Sequence, residues 1–163
     1  MKKLVTLIVC LTFAAASQAV VYNLEATLSG TQEVPPNASP ATGSATITYD
    51  DFTKVLSWAI NWSGLQGTLT VAHFHGPAAA GVNAGVRLPL PLVGNSSISS
   101  AVISDAEATN LLAGNWYINV HTDQFPGGEI RGQVYRTPDA GSTIALLAAG
   151  LLGLVALRRR FMR

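Results

Sequence analysis

Hydrophobic and polar positions alternate with a period of two through most of the chain. A strand turns successive side chains to opposite faces, so this rhythm predicts half-buried β-strands. Val20 to Leu28 alternates roughly in this way, and Gly43 to Tyr49 repeats it. Val55 to Trp62 places Leu56, Trp58, Ile60 and Trp62 on one face. In Leu69 to His75, residues Leu69, Val71, His73 and His75 share a face, and Ala72 and Phe74 take the other. Val86 to Val93 carries Pro89 and Pro91 and belongs at an edge, because proline cannot donate to a ladder. Gly94 to Ser100 reads as a polar connection, with a short strand from Ala101 to Ile103. Trp116 to His121 and Glu129 to Arg136 supply two further strands, joined through Thr122 to Gly128 as a hairpin loop.

One stretch breaks the rhythm. Ser104 to Ala113 fits a single short helix, with Ser104 as N-cap, Glu107 at the capping-box position and Gly114 ending it. Seven to eight short strands with turn-rich joins predict an all-β fold, a sandwich or Greek-key barrel.

The two ends follow other rules. Lys2 and Lys3, the apolar run Leu4 to Ala16 and the small residues of Ser17-Gln18-Ala19 form the pattern of a secretory signal peptide over residues 1–19. A retained anchor is the competing reading, and the run is short for a bilayer span. Cys10 lies within this run, so cleavage leaves a chain without cysteine, whose stability rests on its apolar core. At the other end, the apolar run Ile144 to Leu157 precedes Arg158-Arg159-Arg160 and Arg163. This predicts a C-terminal transmembrane helix with its arginines cytoplasmic and the domain on the far side of the membrane. The domain itself is expected over residues 20–136, and the tail over 137–163.

Charge narrows the functional classes. The formal net charge of +1 is dominated by the two ends. Between Val20 and Asp139 only Lys54, Arg87, Arg131 and Arg136 face nine acidic residues, a net of −5. So acidic a domain is not expected to bind nucleic acid. No phosphate-cradling loop or nucleophile elbow is visible.

The candidate chemistry lies in three histidines. His73 and His75 stand at i and i+2 in one strand, and His121 ends another. Three imidazoles suit one copper or zinc ion. The competing reading is that these histidines hydrogen-bond loops at one end of the sandwich. Glu129 starts the strand that pairs with the one ending at His121, where its carboxylate can orient the His121 ring as an outer partner. An ion pair between Glu129 and Arg131 is the equal alternative. Glu33, in a proline-rich loop, is expected to fix that loop. Trp58, Trp62, Trp116 and Phe74 are expected in the core.

Four segments resemble the CHRD family in order. They are Leu28-Ser29-Gly30-Thr31-Gln32-Glu33-Val34-Pro35-Pro36, Ala72-His73-Phe74-His75-Gly76-Pro77-Ala78, Leu112 to Thr122, and Gly127 to Val134. The resemblance implies an immunoglobulin-like β-sandwich and little about activity. The tail resembles PEP-CTERM-type sorting signals, in the variant that reads Val-Pro-Asp-Ser-Gly. Pro138, Asp139, Gly141, the apolar run and the arginines match, while Thr137 and Ala140 depart from it. That resemblance implies recognition by a membrane sorting enzyme of the exosortase type; an ordinary tail anchor is the alternative. The order His73, His75, His121 is also similar to the copper ligands of copper-zinc superoxide dismutase, although the bridging histidine, the remaining zinc ligands and the disulfide of that family have no counterpart. Two functions follow. One is an exported, non-enzymatic binding or structural module of the envelope, with a protein or polysaccharide partner left open. The other is a mononuclear copper or zinc protein, redox active in the manner of superoxide dismutase.

Overall fold

The structure is a computed structural model that describes residues 19–138, 147, 150–152 and 158. The expected signal peptide lies almost wholly outside the described residues, as do most of the expected transmembrane helix and the arginine cluster. Among the described residues no helix is long and apolar enough to cross a membrane.

Nine antiparallel strands form one continuous, curled sheet. They are β1 (Val21–Ser29), β2 (Thr42–Asp50), β3 (Val55–Ser63), β4 (Leu69–His75), β5 (Val86–Pro89), β6 (Ser96–Val102), β7 (Tyr117–Thr122), β8 (Ile130–Gln133) and β9 (Tyr135–Arg136). Their spatial order is β5-β4-β7-β8-β1-β2-β3-β6, with β9 also pairing β1. The two halves meet where β8 touches β1 through the single pair Ser29–Arg131. There the sheet folds over, so that Trp58 of β3 packs edge-on against Phe74 of β4 with ring centroids 5.4 Å apart. The faces brought together carry Leu24, Leu28, Ile47, Leu56 and Ile60 from one half and Phe74, Ile118, Val120 and Ile130 from the other, all buried. These are the apolar phases of the alternation, and their removal from water is the main favourable term in holding the curl.

The helix α1 (Asp105–Leu112) forms as its caps predict. Ser104 Oγ accepts from the Glu107 N–H, and the Glu107 carboxylate accepts from the Ser104 N–H at 2.9 Å. Gly114 follows with φ +77, a left-handed conformation that glycine adopts without a Cβ penalty.

Two sequence expectations change. Gly94 to Ser100 is not simply a polar connection, because Ser96 onward forms β6. Its phase is inverted, with Ser97 buried and accepting the Trp58 indole N–H at 3.0 Å while Ile98 faces water. A hydroxyl that satisfies a buried indole replaces the apolar side chain that pattern reading looks for. The expected final strand, Glu129 to Arg136, divides at Val134 into β8 and β9, which raises the count to nine.

In the half formed by β4, β7 and β8, strands β7 and β8 are buried on both faces, whereas β4 keeps Thr70 and Val71 exposed. Every residue of β7 and β8 is buried, polar ones included. The second face is covered by the connections at 30–41 and 76–85. Asn37 donates to the Glu129 carbonyl at 3.0 Å, Arg131 to Val82 O at 2.9 Å, and Gln133 to Ala78 O at 2.9 Å. This covered polar face holds the histidines.

Candidate metal centre

β4 and β7 are antiparallel neighbours with His73 opposite Asn119, His75 opposite Tyr117 and Val71 opposite His121. The side chains of His73, His75 and His121 therefore rise from one face, away from the Phe74 core. Cross-strand neighbours on one face lie close enough for side chains to meet. Ring centroids are 5.5 Å apart for His73–His75, 5.3 Å for His73–His121 and 5.8 Å for His75–His121. One ring nitrogen from each histidine lies within 4.8 Å of the other two.

Two of the rings are fixed in tautomer. His75 Nδ1 bonds Ala84 O at 2.9 Å, and His121 Nδ1 bonds Pro126 O at 3.0 Å. A carbonyl only accepts, so each Nδ1 carries the proton and each Nε2 keeps its lone pair. Both Nε2 atoms and the Nδ1 of His73 are buried and have no hydrogen-bond partner among the described residues. Buried polar atoms are nearly always paired, so an unpaired ring nitrogen on each of three neighbouring histidines favours a ligand that takes lone pairs.

Electrostatics favours the neutral rings. Burial pushes the pKa of His73, His75 and His121 below the ordinary 6.5. His121 adds to the effect on His73 and His75, and the carbonyls of Ala84 and Pro126 oppose it. Neutral imidazole is the form that ligates metal. Three nitrogen donors with no carboxylate among them fit copper or zinc and not calcium or magnesium, which take oxygen. The residues present thus fit one such ion, and Ala84 and Pro126 supply the outer hydrogen bonds that orient ligating rings.

The wall of the site comes from residues that share parity with His121, among them Tyr117, Arg131 and Gln133, which sequence reading did not assign to it. Tyr117 stacks on His75 with centroids 5.0 Å apart and planes 12° from parallel. The Arg131 guanidinium lies 3.5 Å from the centre of the Tyr117 ring, from the β8 side. Asn119 and Gln133 complete the row. The available signal was the period of two along Tyr117, Asn119 and His121, continued across the hairpin by Arg131 and Gln133.

Glu129 does not orient His121. Regular pairing of β7 with β8 ends at Val120–Ile130, and Glu129 lies just beyond it. Its carboxylate accepts from Ser39 Oγ (2.7 Å), Gln66 N (2.7 Å), Gly67 N (3.3 Å) and Thr122 Oγ1 (2.8 Å). Thr122 follows His121 and faces the other way, so Glu129 serves the opposite side of the strand. The alternative ion pair with Arg131 is absent too, since Arg131 donates to Asn83, Val82 and Gln133. Glu33 lies beside Asn119 and Gly128 at the edge of the site, with an unexpected electrostatic character. It is buried, its Oε1 has no partner among the described residues, and burial pushes its carboxyl up to about 7, against the pull of Arg131.

The covered face, the two histidine strands and the Gly127 to Val134 hairpin arm all fall within one matched region. The family model for the CHRD domain matches residues 24–134. The chain belongs to the CHRD family. Directly after the CHRD domain, a VPDSG-CTERM motif matches residues 138–161. No curated protein and no solved structure gives a significant match. A CHRD domain followed by this sorting motif marks an exported, envelope-associated protein, and the motif implies a sorting system of the exosortase type.

Proposed function

We propose that this CHRD protein is a non-enzymatic binding module of the cell envelope whose ligand is one copper or zinc ion held by His73, His75 and His121. The observation that carries the reading is that His73, His75 and His121 each place one ring nitrogen within 4.8 Å of the other two, with the His75 and His121 rings held by loop carbonyls in the tautomer that leaves Nε2 a lone pair. The metal supplies Lewis acidity or, for copper, a redox couple. The chain's own part is to keep the rings neutral, to aim them and to shield them. Metal analysis of the purified full chain after reconstitution tests this. One ion per chain, lost in His121→Ala and His73→Ala, is the expected result; near-zero stoichiometry in the native protein overturns it.

The same proposal assigns residues 1–19 to a cleaved signal peptide, 20–136 to the domain and 137–163 to a membrane-inserting sorting tail. The arginines following the Ile144 to Leu157 run support that assignment through the positive-inside rule. Neutral replacements at Arg158, Arg159 and Arg160 are expected to change membrane retention or processing on fractionation. We read the two halves of the curled sheet as the layers of an immunoglobulin-like, Greek-key sandwich, supported by the Trp58–Phe74 contact across them.

A further inference from the structure

The two edges of the sheet are finished differently. The β5 edge carries Arg87 and Pro89, with Pro91 just beyond, and is blunted in the manner of protected edges. The β6 edge is the seven-residue run Ser-Ser-Ile-Ser-Ser-Ala-Val, without proline or charge. Two large apolar side chains on it, Ile98 and Val102, are each 71 % exposed.

The backbone of β6 shows which groups are free. Asn95 O accepts from Trp62 N, and Ile103 N donates to Lys54 O, so odd-numbered residues address β3. In an antiparallel ladder the alternate residues then point away from the partner strand. Ser96 confirms the parity, for its N–H and C=O bond Val93 on the outer side. Ile98, Ser100 and Val102 are left facing outward, and among the described residues no strand pairs with them.

We propose that this edge pairs with the same edge of a second copy, antiparallel about a twofold axis at Ser100. That register sets Ser100 against Ser100 and sets Ile98 of each copy against Val102 of the other. All three outward residues then fall in hydrogen-bonded pairs, giving six N–H···O=C bonds, and each exposed apolar side chain gains an apolar neighbour on the same face. A twofold interface requires a self-complementary patch, and a spacing of four between the two apolar residues, centred on a small residue of outward parity, meets that condition. The occupant is a second copy because the edge matches itself in backbone parity, side-chain pairing and absence of charge.

Disulfide trapping in the full chain, kept in its native membranes, tests the register. The variants carry Cys10→Ala to remove the sole native cysteine. Hydrogen-bonded antiparallel partners have Cα atoms about 5.5 Å apart, inside the range a disulfide spans. Under mild oxidation with diamide, Ser100→Cys should give a species of twice the chain mass. Ser44→Cys, exposed on the same outer face but on β2, should give at least about tenfold less. Ile98→Lys in the Ser100→Cys background places a charge in the pairing and should lower the trapped fraction about tenfold, a change of about 1.4 kcal/mol. Equal trapping at Ser100 and Ser44, an adduct of some other mass, or trapping indifferent to Ile98→Lys would each overturn the proposal.

Discussion

Thr122 Oγ1 donates to the Glu129 carboxylate at 2.8 Å, on the side of β7 opposite to His121. The same carboxylate gathers Ser39 and the backbone of Gln66 and Gly67, so one buried side chain ties two loops to the β7–β8 hairpin. Burial pushes its carboxyl up, but the hydrogen bonds together outweigh burial and hold it below the ordinary 4.5. The consequence is structural. Glu129→Ala leaves four donors without an acceptor and should cost about 3 kcal/mol or more in denaturant unfolding. A variant of unchanged stability but weakened metal binding would restore the ring-orienting role.

The His-x-His pair was legible because a period of two depends only on the strand itself. His121 was joined to it through the similarity of the order His73, His75, His121 to the copper ligands of a Greek-key fold, and the pairing of β4 with β7 brings the three together. Glu129 was not legible, because its facing depends on where the β7–β8 ladder stops, and pairing up to Val120–Ile130 leaves it beyond the regular alternation. β6 was hidden for a different reason. Its inward position is Ser97, whose value lies in one hydrogen bond to Trp58, and its outward position is the apolar Ile98. Nor does any local pattern reveal that the connections at 30–41 and 76–85 cover the histidine face, since their contacts with Arg131 and Gln133 span dozens of residues. That cover converts three surface imidazoles into a shielded cluster.

Gly128 is where the hairpin and the site press most closely. Its φ is +132, and a Cβ would run into the Asn119 amide and the Glu33 carboxyl. Gly128→Ala should lose about 1–3 kcal/mol of stability through backbone strain and displaced neighbours. Because Asn119 lies opposite His73, metal occupancy should fall as well, measured by metal analysis at equal protein concentration. Native occupancy together with native stability would show that the hairpin yields without disturbing the rings.

Metal retention should depend on pH in a shifted way. Burial holds all three imidazoles below the ordinary 6.5, so protons compete for the ring nitrogens only at pH values under that figure. Dialysis of the loaded protein across a pH series should show a flat bound fraction above 6.5 and a loss beneath it. Release beginning above 6.5 would contradict neutral, preorganised ligands. His75→Ala should lower affinity throughout the range, because it removes a ligand and not merely a titration.

Glu33 gives the clearest pH signature of the fold itself. Its carboxyl is raised from 4.5 to about 7, first by burial, with Arg131, the Val34 backbone and Asn119 pulling the other way. The folded state therefore binds this proton more tightly than the unfolded chain does. The stability it contributes is complete below 4.5 and is lost as pH rises through about 7, on the order of 3 kcal/mol over the whole window. The histidines act in the opposite sense: their lowered pKa values give stability above 6.5 that is lost as pH falls. A direct profile of the native protein mixes the two, whereas a comparison with Glu33→Gln isolates the carboxyl. The amide keeps the size of the protonated acid and cannot ionise. In metal-free protein, unfolding midpoints of the native chain should therefore fall relative to Glu33→Gln between pH 4.5 and 7, and the gap should then stay constant. Parallel profiles across that interval would show that the Glu33 carboxyl ionises as it does in water and that its burial has no energetic consequence.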